Sequence, residues 1–305
     1  MNKIFAAVFA AIFFICNICA AYAPSGKLFV TMLNIGQGDA FLIETPEQNV
    51  LLDTGDFDQR DNLISQLHAA GITHLEKIIL THPHADHIGG VRAVIDNFSV
   101  DQILDNGISS RSPFYKDYRT AELRFSNLKS GDVINLGGGV KFKVLNPAPE
   151  VVSAVNSRSQ RSNANNESIV GKLTFGDFSM LFTGDIEKEI EDELLDCAYS
   201  DLQASILKAA HHGSKSSNSA DFIHAVNPNF IFISAGKSNR YGHPHKAPLA
   251  TFRQNFIPTE NILCTAFNGF VRVESDGKNL LVFPEIFSDW VEEFSGEIIS
   301  VTRID

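Results

Sequence analysis

Cysteine and positive charge are both scarce in this chain of 305 residues, and each shortage excludes a class of protein. Only Cys197 and Cys264 lie beyond the N-terminal segment, which is too few for a disulfide-stabilised scaffold. They allow either one disulfide or two buried thiols. The 25 Lys and Arg residues against 36 Asp and Glu residues give a net charge of −11, so the chain lacks the basic signature of most nucleic-acid-binding proteins. A metal site could still supply local positive charge.

Long apolar runs are also missing, apart from one at the N-terminus. Residues 4–15 are uncharged and apolar, and they follow Lys3. The small residues of a cleavage site come next, at Ala20, Ala21 and Ala23. This order is typical of a secretory signal peptide, so we predict that residues 1–23 are removed and that the protein is exported, to the periplasm or the extracellular space. The alternative is an uncleaved membrane anchor over residues 4–23, which would give the only contact with a membrane.

The rest of the chain alternates between short strand-like and helical patterns. Amphipathic helical spacing separates several apolar runs, for example at Ile186–Ala198. The segment Ser153–Asn166 is rich in Ser, Asn, Arg and Gln and is predicted to be an exposed loop. Two similar halves share this alternation. We predict one domain of the α/β class over residues 24–283, with two sheets packed together and helices outside both, and residues 284–305 as its C-terminal extension.

The most informative part of the pattern is a loop that follows the apolar run Lys77–Leu80. It reads Thr81-His82-Pro83-His84-Ala85-Asp86-His87. Imidazole nitrogens and carboxylate oxygens are ligands that zinc and similar divalent cations accept. Because a strand delivers the loop, its side chains can converge on one point. The H-x-H-x-D-H order therefore predicts a metal site rather than a solvated polar loop.

Four further polar clusters follow other predicted strands. They are Asp53-Thr54-Gly55, Thr183-Gly184-Asp185, His211-His212-Gly213-Ser214 and Tyr241-Gly242-His243-Pro244-His245. Each alone is weak, since Asp at a strand end often only caps the next turn, and a histidine pair on a loop is commonly a surface feature. Together with the histidine loop, and in this order along the chain, they indicate one composite site.

The order of these clusters resembles that of the metallo-β-lactamase superfamily over most of the chain. Within it, the chain is similar to the extracytoplasmic nuclease-like domain of the DNA-uptake competence protein ComEC. The segments that carry this second resemblance are residues 34–40 (NIGQGDA), 165–170 (NNESIV), 207–217 (LKAAHHGSKSS) and 239–244 (NRYGHP). The membrane channel portions of those proteins have no counterpart in this sequence, so we expect a stand-alone domain.

The resemblance implies an αββα four-layer sandwich with a two-metal cleft along one edge of its paired sheets. The implied ligands are His82 and His84 for the first ion, Asp86 and His87 for the second, Asp185 as the bridge, and either His211 or His212 to complete the second. Many members supply a further histidine to the first ion, but no histidine lies between His87 and His211. Asn165 or Asn166 stands in the corresponding stretch. An amide oxygen is a weaker ligand, so we expect two divalent ions, zinc or manganese, with the first bound loosely.

Three residues are predicted to support these ligands. Asp53 would orient His84 or a neighbouring ligand through a hydrogen bond. Asp39 would play a similar part in the cleft, with a capped tight turn as an equally open alternative. Gly38 would let the backbone approach another segment closely.

The implied chemistry is metal-assisted hydrolysis. Two ions about 3.5–4 Å apart would lower the pKa of a bridging water and give hydroxide near neutral pH. Asp86 and Asp185 are therefore predicted to be catalytic as ligands, and His243 to act as a general acid or as a donor to a phosphate oxygen.

These features predict a secreted phosphodiesterase or nuclease whose anionic phosphodiester substrate is DNA, with no stable protein partner. One alternative is a cell-envelope phosphodiesterase or esterase acting on small or lipid head-group substrates. Another is a non-catalytic metal-binding module. The retained Asp86 and Asp185 argue against the module, because a purely structural site needs no open bridging position.

Overall fold

The computed structural model describes residues 26–157, 163–288 and 290–291. The predicted signal peptide therefore lies outside the described residues. Within the described part of the chain, no helix is long and apolar enough to cross a membrane.

The first sheet has eight strands. In spatial order they are β17 (Leu280–Pro284), β16 (Val271–Ser275), β1 (Leu28–Met32), β2 (Phe41–Glu44), β3 (Asn49–Leu52), β5 (Lys77–Ile79), β7 (Gln102–Asp105) and β8 (Arg124–Asn127). Strands β3, β5, β7 and β8 run parallel, and the remaining neighbours pair antiparallel. A separate short parallel pair is formed by β4 (His74–Leu75) and β6 (Ser99–Val100).

The second sheet has seven strands. Their spatial order is β15 (Ile262–Cys264), β14 (Phe230–Ile233), β13 (Ile206–Lys208), β12 (Phe178–Phe182), β11 (Val170–Phe175), β10 (Lys141–Asn146) and β9 (Val133–Asn135). Strands β12 to β15 run parallel, and β9 to β12 pair antiparallel. Each sheet thus combines an antiparallel part with a parallel part, which agrees with two similar halves.

Short helices connect many of these strands. The α-helices of the described residues are α1 (Arg60–Ala69), α2 (Ala85–Ile88), α3 (Val91–Asn97), α4 (Pro113–Tyr118), α5 (Pro149–Asn156), α6 (Lys188–Cys197), α7 (Tyr199–Leu202), α8 (Ala220–Val226), α9 (Lys246–Gln254) and α10 (Thr265–Asn268). Single 3₁₀ turns occupy Phe57–Gln59, Ala210–Gly213 and Thr259–Asn261.

Three apolar cores separate four layers. The core between the sheets includes Phe41 from the first sheet and Phe182 from the second, whose rings meet edge to face with centroids 5.2 Å apart. A second core joins Leu63 of α1 and its neighbours to the outer face of the first sheet. A third joins Phe222 of α8 and Phe252 of α9 to the outer face of the second sheet. The layers are helix, sheet, sheet and helix, so the predicted αββα sandwich is confirmed.

Strand alternation explains how each sheet serves two cores. Successive side chains of a strand point to opposite faces. In β3, Val50 and Leu52 belong to the core between the sheets, whereas Leu51 belongs to the core under the helices. Such strands are buried on both sides, which is why they occur in the sequence as continuous apolar runs.

The loop predicted over Ser153–Asn166 is partly wrong, because α5 extends through Asn156. Pro149 lies in the first turn of this helix, where its missing N–H costs no hydrogen bond. Serine and asparagine in the last turns hide the helical spacing. Helix α4 and strands β8 and β9 are not predicted either, because the two strands carry mostly exposed side chains and lack an apolar signal.

Both alternatives for the two cysteines are wrong. Cys197 is exposed at the end of α6, Cys264 is buried in β15, and both are free thiols. Burial raises the pKa of the Cys264 thiol to about 12. Cys264 is therefore a packing residue.

Part of the predicted C-terminal extension packs against the second sheet. The Trp290 ring is buried and stacks on Phe267 with centroids 4.6 Å apart. Its indole N–H donates to the Ile262 carbonyl in β15 at 3.1 Å. At least this tryptophan belongs to the same core as the predicted domain over residues 24–283.

Candidate metal centre

The predicted site residues come together at one edge of the two sheets. Asp53 follows β3, and the loop His82–His87 follows β5, its parallel neighbour. Asp185 follows β12 and His212 follows β13, again a parallel pair. Since the carboxyl ends of parallel strands meet at the same edge, each sheet delivers polar side chains to one place.

Four side chains form one tight group: Asp86, His87, Asp185 and His212. One ligand atom from each lies within 4.8 Å of the others. Asp185 Oδ2 lies 3.2 Å from His87 Nε2 and 3.4 Å from His212 Nε2. Asp86 Oδ2 lies 3.5 Å from His212 Nε2. We call Asp86, His87 and His212 the second half-site, with Asp185 shared. Of the two histidines that the sequence leaves open, His212 belongs to this group.

His82, His84 and Asn165 lie next to this group, and we call them the first half-site. His82 Nε2 lies 3.1 Å from His84 Nδ1 and 3.8 Å from Asp185 Oδ2. Asn165 is close enough to His84 to influence its pKa, although Asn165 Oδ1 makes no hydrogen bond of good geometry. Asn166 Oδ1 instead accepts a hydrogen bond from the Glu187 N–H at 2.8 Å. Asn165 is therefore the amide that faces the site.

Four buried atoms of these residues have no hydrogen-bond partner within the described ranges: His87 Nε2, His212 Nε2, Asn165 Oδ1 and one carboxylate oxygen, Asp185 Oδ1. A buried polar atom without a partner costs about 1–3 kcal/mol, so native structures rarely keep several together. These atoms surround carboxylates, and the whole set consists of ligands that divalent cations accept. The residues fit a divalent metal centre.

Each histidine of the second half-site has its other nitrogen held by a buried oxygen. His87 Nδ1 lies 2.7 Å from Asp53 Oδ2, and Asp53 also accepts hydrogen bonds from the Thr81 N–H and hydroxyl, both 2.7 Å long. His212 Nδ1 lies 2.9 Å from the Ser234 carbonyl oxygen. With the proton on Nδ1, each Nε2 atom keeps its lone pair for a metal. The histidine that Asp53 contacts is therefore His87 and not His84.

Lys208 is a charged residue of this centre that the motifs do not reveal. It is 1% exposed, and its Nζ atom lies 2.6 Å from Asp39 Oδ2. Asp39 Oδ1 lies 3.3 Å from His212 Nδ1, which fits the supporting role predicted for Asp39. The signal available in the sequence is a lysine inside the apolar run of residues 206–210.

The backbone beside Asp39 approaches the histidine loop as closely as predicted. Gly38 has φ +125°, and a Cβ atom there would lie 2.2 Å from the Asp86 carbonyl oxygen. That oxygen accepts a hydrogen bond of 3.1 Å from the Asp39 N–H. Only glycine allows this contact.

His211 and His243 lie at the edge of the group. His211 Nε2 is 3.8 Å from Asp185 Oδ2, and its Nδ1 atom is 3.7 Å from Glu187 Oε1. The His243 ring centroid lies 5.5 Å from that of His211 and 5.9 Å from that of His212. The structure therefore brings both near the centre without placing either in the tight group.

Burial and the carboxylates act in opposite directions on the histidines. Burial lowers the pKa of His87 and His212, but the carboxylates, Asp185 first, outweigh it and raise both well above the usual value. In the first half-site burial wins, and the pKa values of His82 and His84 are lowered. The imidazoles of the second half-site therefore bind a proton more readily than those of the first half-site.

Two other groups show the same competition. Burial raises the pKa of Asp86, but the hydrogen bond from His212 and the charge of His87 outweigh it and hold this pKa below its usual value. Burial, followed by the charges of His212 and His211, lowers the pKa of His243 to about 3. At neutral pH His243 is a neutral imidazole.

Comparison with known proteins places these residues in a family pattern. The family model of the metallo-beta-lactamase superfamily matches residues 33–236. ComE operon protein 3 of Bacillus subtilis is 34% identical over 266 residues, which cover 80% of this chain and 32% of that protein. Competence protein ComA of Neisseria gonorrhoeae is 32% identical over 229 residues, which cover 73% of this chain and 29% of that protein. The chain thus spans about a third of the length of these relatives.

Solved structures of the same fold are much less similar in sequence. The crystal structure of the metallo-beta-lactamase fold protein YhfI from Bacillus subtilis covers 68% of this chain, and 85% of that protein is covered in turn. The identity is 13% and the TM-score is 0.45.

Proposed function

Because this chain belongs to the metallo-β-lactamase superfamily, whose members are generally metal-dependent hydrolases, we propose that it is an exported phosphodiesterase that cleaves DNA. The observation that carries this proposal is the convergence of unpaired, buried ligand atoms on the Asp185 carboxylate. Asp185 Oδ2 contacts histidines of both half-sites, as a residue shared by two ions would.

Two bound divalent ions would supply Lewis acidity toward a phosphoryl oxygen and an activated water near neutral pH. The protein itself holds the ligands in place before any ion binds. Asp53 and the Ser234 carbonyl lie within hydrogen-bond distance of Nδ1 of His87 and His212, so both rings are already oriented with Nε2 toward the centre. Little reorganisation is then needed on loading.

His243 is suited to contact a phosphate oxygen. Gln37 Nε2 lies 3.5 Å from His243 Nδ1, and if the amide donates, the proton of the neutral ring is on Nε2. With a pKa of about 3, His243 is a poor general acid at neutral pH. Of the two roles predicted for it, hydrogen-bond donation therefore fits better.

The rim beside His243 carries groups suited to a nucleic acid strand. The Tyr241 side chain is 47% exposed, and its ring stacks on His243 with centroids 5.6 Å apart. The Arg240 guanidinium lies 4.8 Å from the centroid of the Tyr241 ring. Asn239 Oδ1 accepts hydrogen bonds from the N–H groups of Tyr241 and His243, which fixes this loop. Exposed aromatic rings and arginines bind bases and phosphates, so the rim favours DNA over a small head group.

Two further observations support parts of the proposal. One relative is named a competence protein, which agrees with DNA as the substrate. Export rests on the sequence pattern of residues 1–23, which lie outside the described ranges. The identity of the ions, zinc or manganese, stays a prediction.

The test is metal content together with DNA degradation, measured on the wild type and on Asp185→Asn. We expect about two ions per chain and metal-dependent degradation in the wild type. Since even an outer partner of a ligand is worth about 10–100-fold, Asp185→Asn should lower the rate by at least about 100-fold and lose metal.

Asp177→Asn is the matched control, because Asp177 is exposed at the other end of β12. It should behave as wild type. Turnover of bis-p-nitrophenyl phosphate without any DNA cleavage would shift the assignment to the small-substrate alternative. A wild-type protein that binds no metal would contradict the enzyme assignment altogether.

A further inference from the structure

Lys208 places a buried positive charge against two carboxylates of the candidate centre. The other residues of its strand, Ile206 and Leu207, are apolar. Its Nζ atom lies 2.6 Å from Asp39 Oδ2, 2.8 Å from the Gly184 carbonyl oxygen and 3.6 Å from Asp185 Oδ1. The Asp39 and Gly184 oxygens lie within hydrogen-bond distance of the ammonium group, whereas Asp185 Oδ1 lies at ion-pair distance and makes no hydrogen bond. Because burying an ammonium is costly unless it is paired, these contacts determine where Lys208 lies.

The contact with Asp185 distinguishes the two oxygens of that carboxylate. Oδ2 faces imidazole nitrogens of both half-sites, at 3.2 Å from His87, 3.4 Å from His212 and 3.8 Å from His82. Oδ1 faces Lys208. The carboxylate is therefore oriented with Oδ2 toward both half-sites and with Oδ1, which makes no hydrogen bond, toward the positive charge of the lysine.

Lys208 is also connected to His212, through Asp39. Asp39 Oδ2 contacts the lysine, and Asp39 Oδ1 lies 3.3 Å from His212 Nδ1. The same Nδ1 atom lies 2.9 Å from the Ser234 carbonyl. His212 Nδ1 therefore has the Ser234 carbonyl as its hydrogen-bond partner, and a carboxylate oxygen of the residue that contacts the lysine lies nearby at ion-pair distance.

We propose that Lys208 is a positioning residue that keeps Asp185 Oδ2 turned toward the histidines of both half-sites, where the residues would hold two ions, and that steadies His212 through Asp39. This inference rests on the proposed function only in requiring two ions at the centre. It does not depend on the substrate.

Because Lys208 is positively charged, the direction in which its removal changes metal affinity tests the inference. If the lysine acted only as a charge, its removal would strengthen the binding of two nearby dications, because like charges repel. If it positions Asp185, its removal weakens binding and disturbs the bridge. Lys208→Met removes the charge and keeps a side chain of similar length.

The experiment is a Mn²⁺ titration followed by electron paramagnetic resonance of the loaded protein. We expect two Mn²⁺ ions with an exchange-coupled signal in the wild type. In Lys208→Met the second ion should bind at least about 10-fold more weakly, and signals of isolated Mn²⁺ should replace the coupled one. Lys172→Met, which removes a partly buried lysine of β11 in the same sheet, is the control and should leave both readouts unchanged.

Equal or tighter binding in Lys208→Met, with the coupling retained, would overturn the inference. A wild type that binds fewer than two ions would instead count against the proposed function, so the two failures are distinguishable. If circular dichroism shows that Lys208→Met does not fold, Asp39→Asn is used as the second variant. It keeps the lysine that lies near Asp185. It should weaken one ion and keep the coupling, whereas unchanged binding would rule out the route through Asp39.

Discussion

The two half-sites of the candidate metal centre are held very differently. In the second, His87 and His212 are buried, and a buried oxygen contacts the Nδ1 atom of each. In the first, His82 is buried but His84 is exposed, and an amide, Asn165, stands beside it. The comparison indicates that the second half-site is preorganised and the first is the weaker one.

Local backbone structure explains much of this difference. Asp86 and His87 lie in α2, and the His87 carbonyl accepts hydrogen bonds from both the N–H and the hydroxyl of Thr54. His84 lies at the start of that helix in extended conformation, where its side chain meets solvent. One continuous motif in the sequence thus gives ligands of unequal rigidity.

The largest expected effect comes from removing a ligand of the second half-site. His212→Ala should lose the second ion and lower DNA cleavage by at least about 100-fold, whereas His211→Ala should cost less than about 10-fold. The pair is well matched, because His211 and His212 have φ values of 50° and 55° and alanine is strained equally at both. Metal analysis and cleavage rates check this. Equal losses in both variants would break the distinction between them.

A smaller effect should come from strengthening the first half-site. Asn165→His adds a third imidazole beside His84, so zinc should bind there at least about 10-fold more tightly. Asn166→His is the control, because the Asn166 side chain already accepts a hydrogen bond from the Glu187 N–H and so is not the amide beside His84. Competition with a chromophoric chelator measures the affinity. A gain in the Asn166 variant alone would show that the wrong amide has been assigned.

The smallest effect concerns protons released on metal loading. The raised pKa values of His87 and His212 mean that, without metal, their Nε2 atoms keep a proton to higher pH than a free imidazole does, and each such proton must leave when Nε2 binds an ion. Affinity at the second half-site should therefore rise with pH until these pKa values are passed. His82 and His84 have lowered pKa values and should release none at neutral pH.

Calorimetry in buffers of different ionisation enthalpy counts these protons. His82→Ala, which disables the first half-site, should release as many protons as the wild type. If His82→Ala released no protons on metal binding, the protons would come from the first half-site and the prediction would be wrong.

The fold and most site residues follow from the sequence because their signals are local. Continuous apolar runs mark strands buried on both faces, and polar residues after them mark the sheet edge. The sequence does not show that His212 rather than His211 joins the tight group. The two residues are adjacent, both have a left-handed backbone conformation, and only the directions of their side chains distinguish them. Lys208 is also hidden, since its partners Asp39 and Asp185 are distant in the chain. The pairing of Lys208 with Asp39 exists only once both sheets have packed together, because Asp39 lies between β1 and β2 of the first sheet.

The position of the candidate metal centre at the edge of both sheets has a consequence for the stability of the folded protein. His82 and His87 follow a strand of the first sheet, and Asp185 and His212 follow strands of the second. Ions bound between them would tie the two sheets together as a cross-link that forms only in the folded state. Ligand binding of this kind adds about 2.7 kcal/mol to the free energy of unfolding at a hundredfold excess over Kd. The local supply of metal would then set how long the folded protein survives as well as whether it is active.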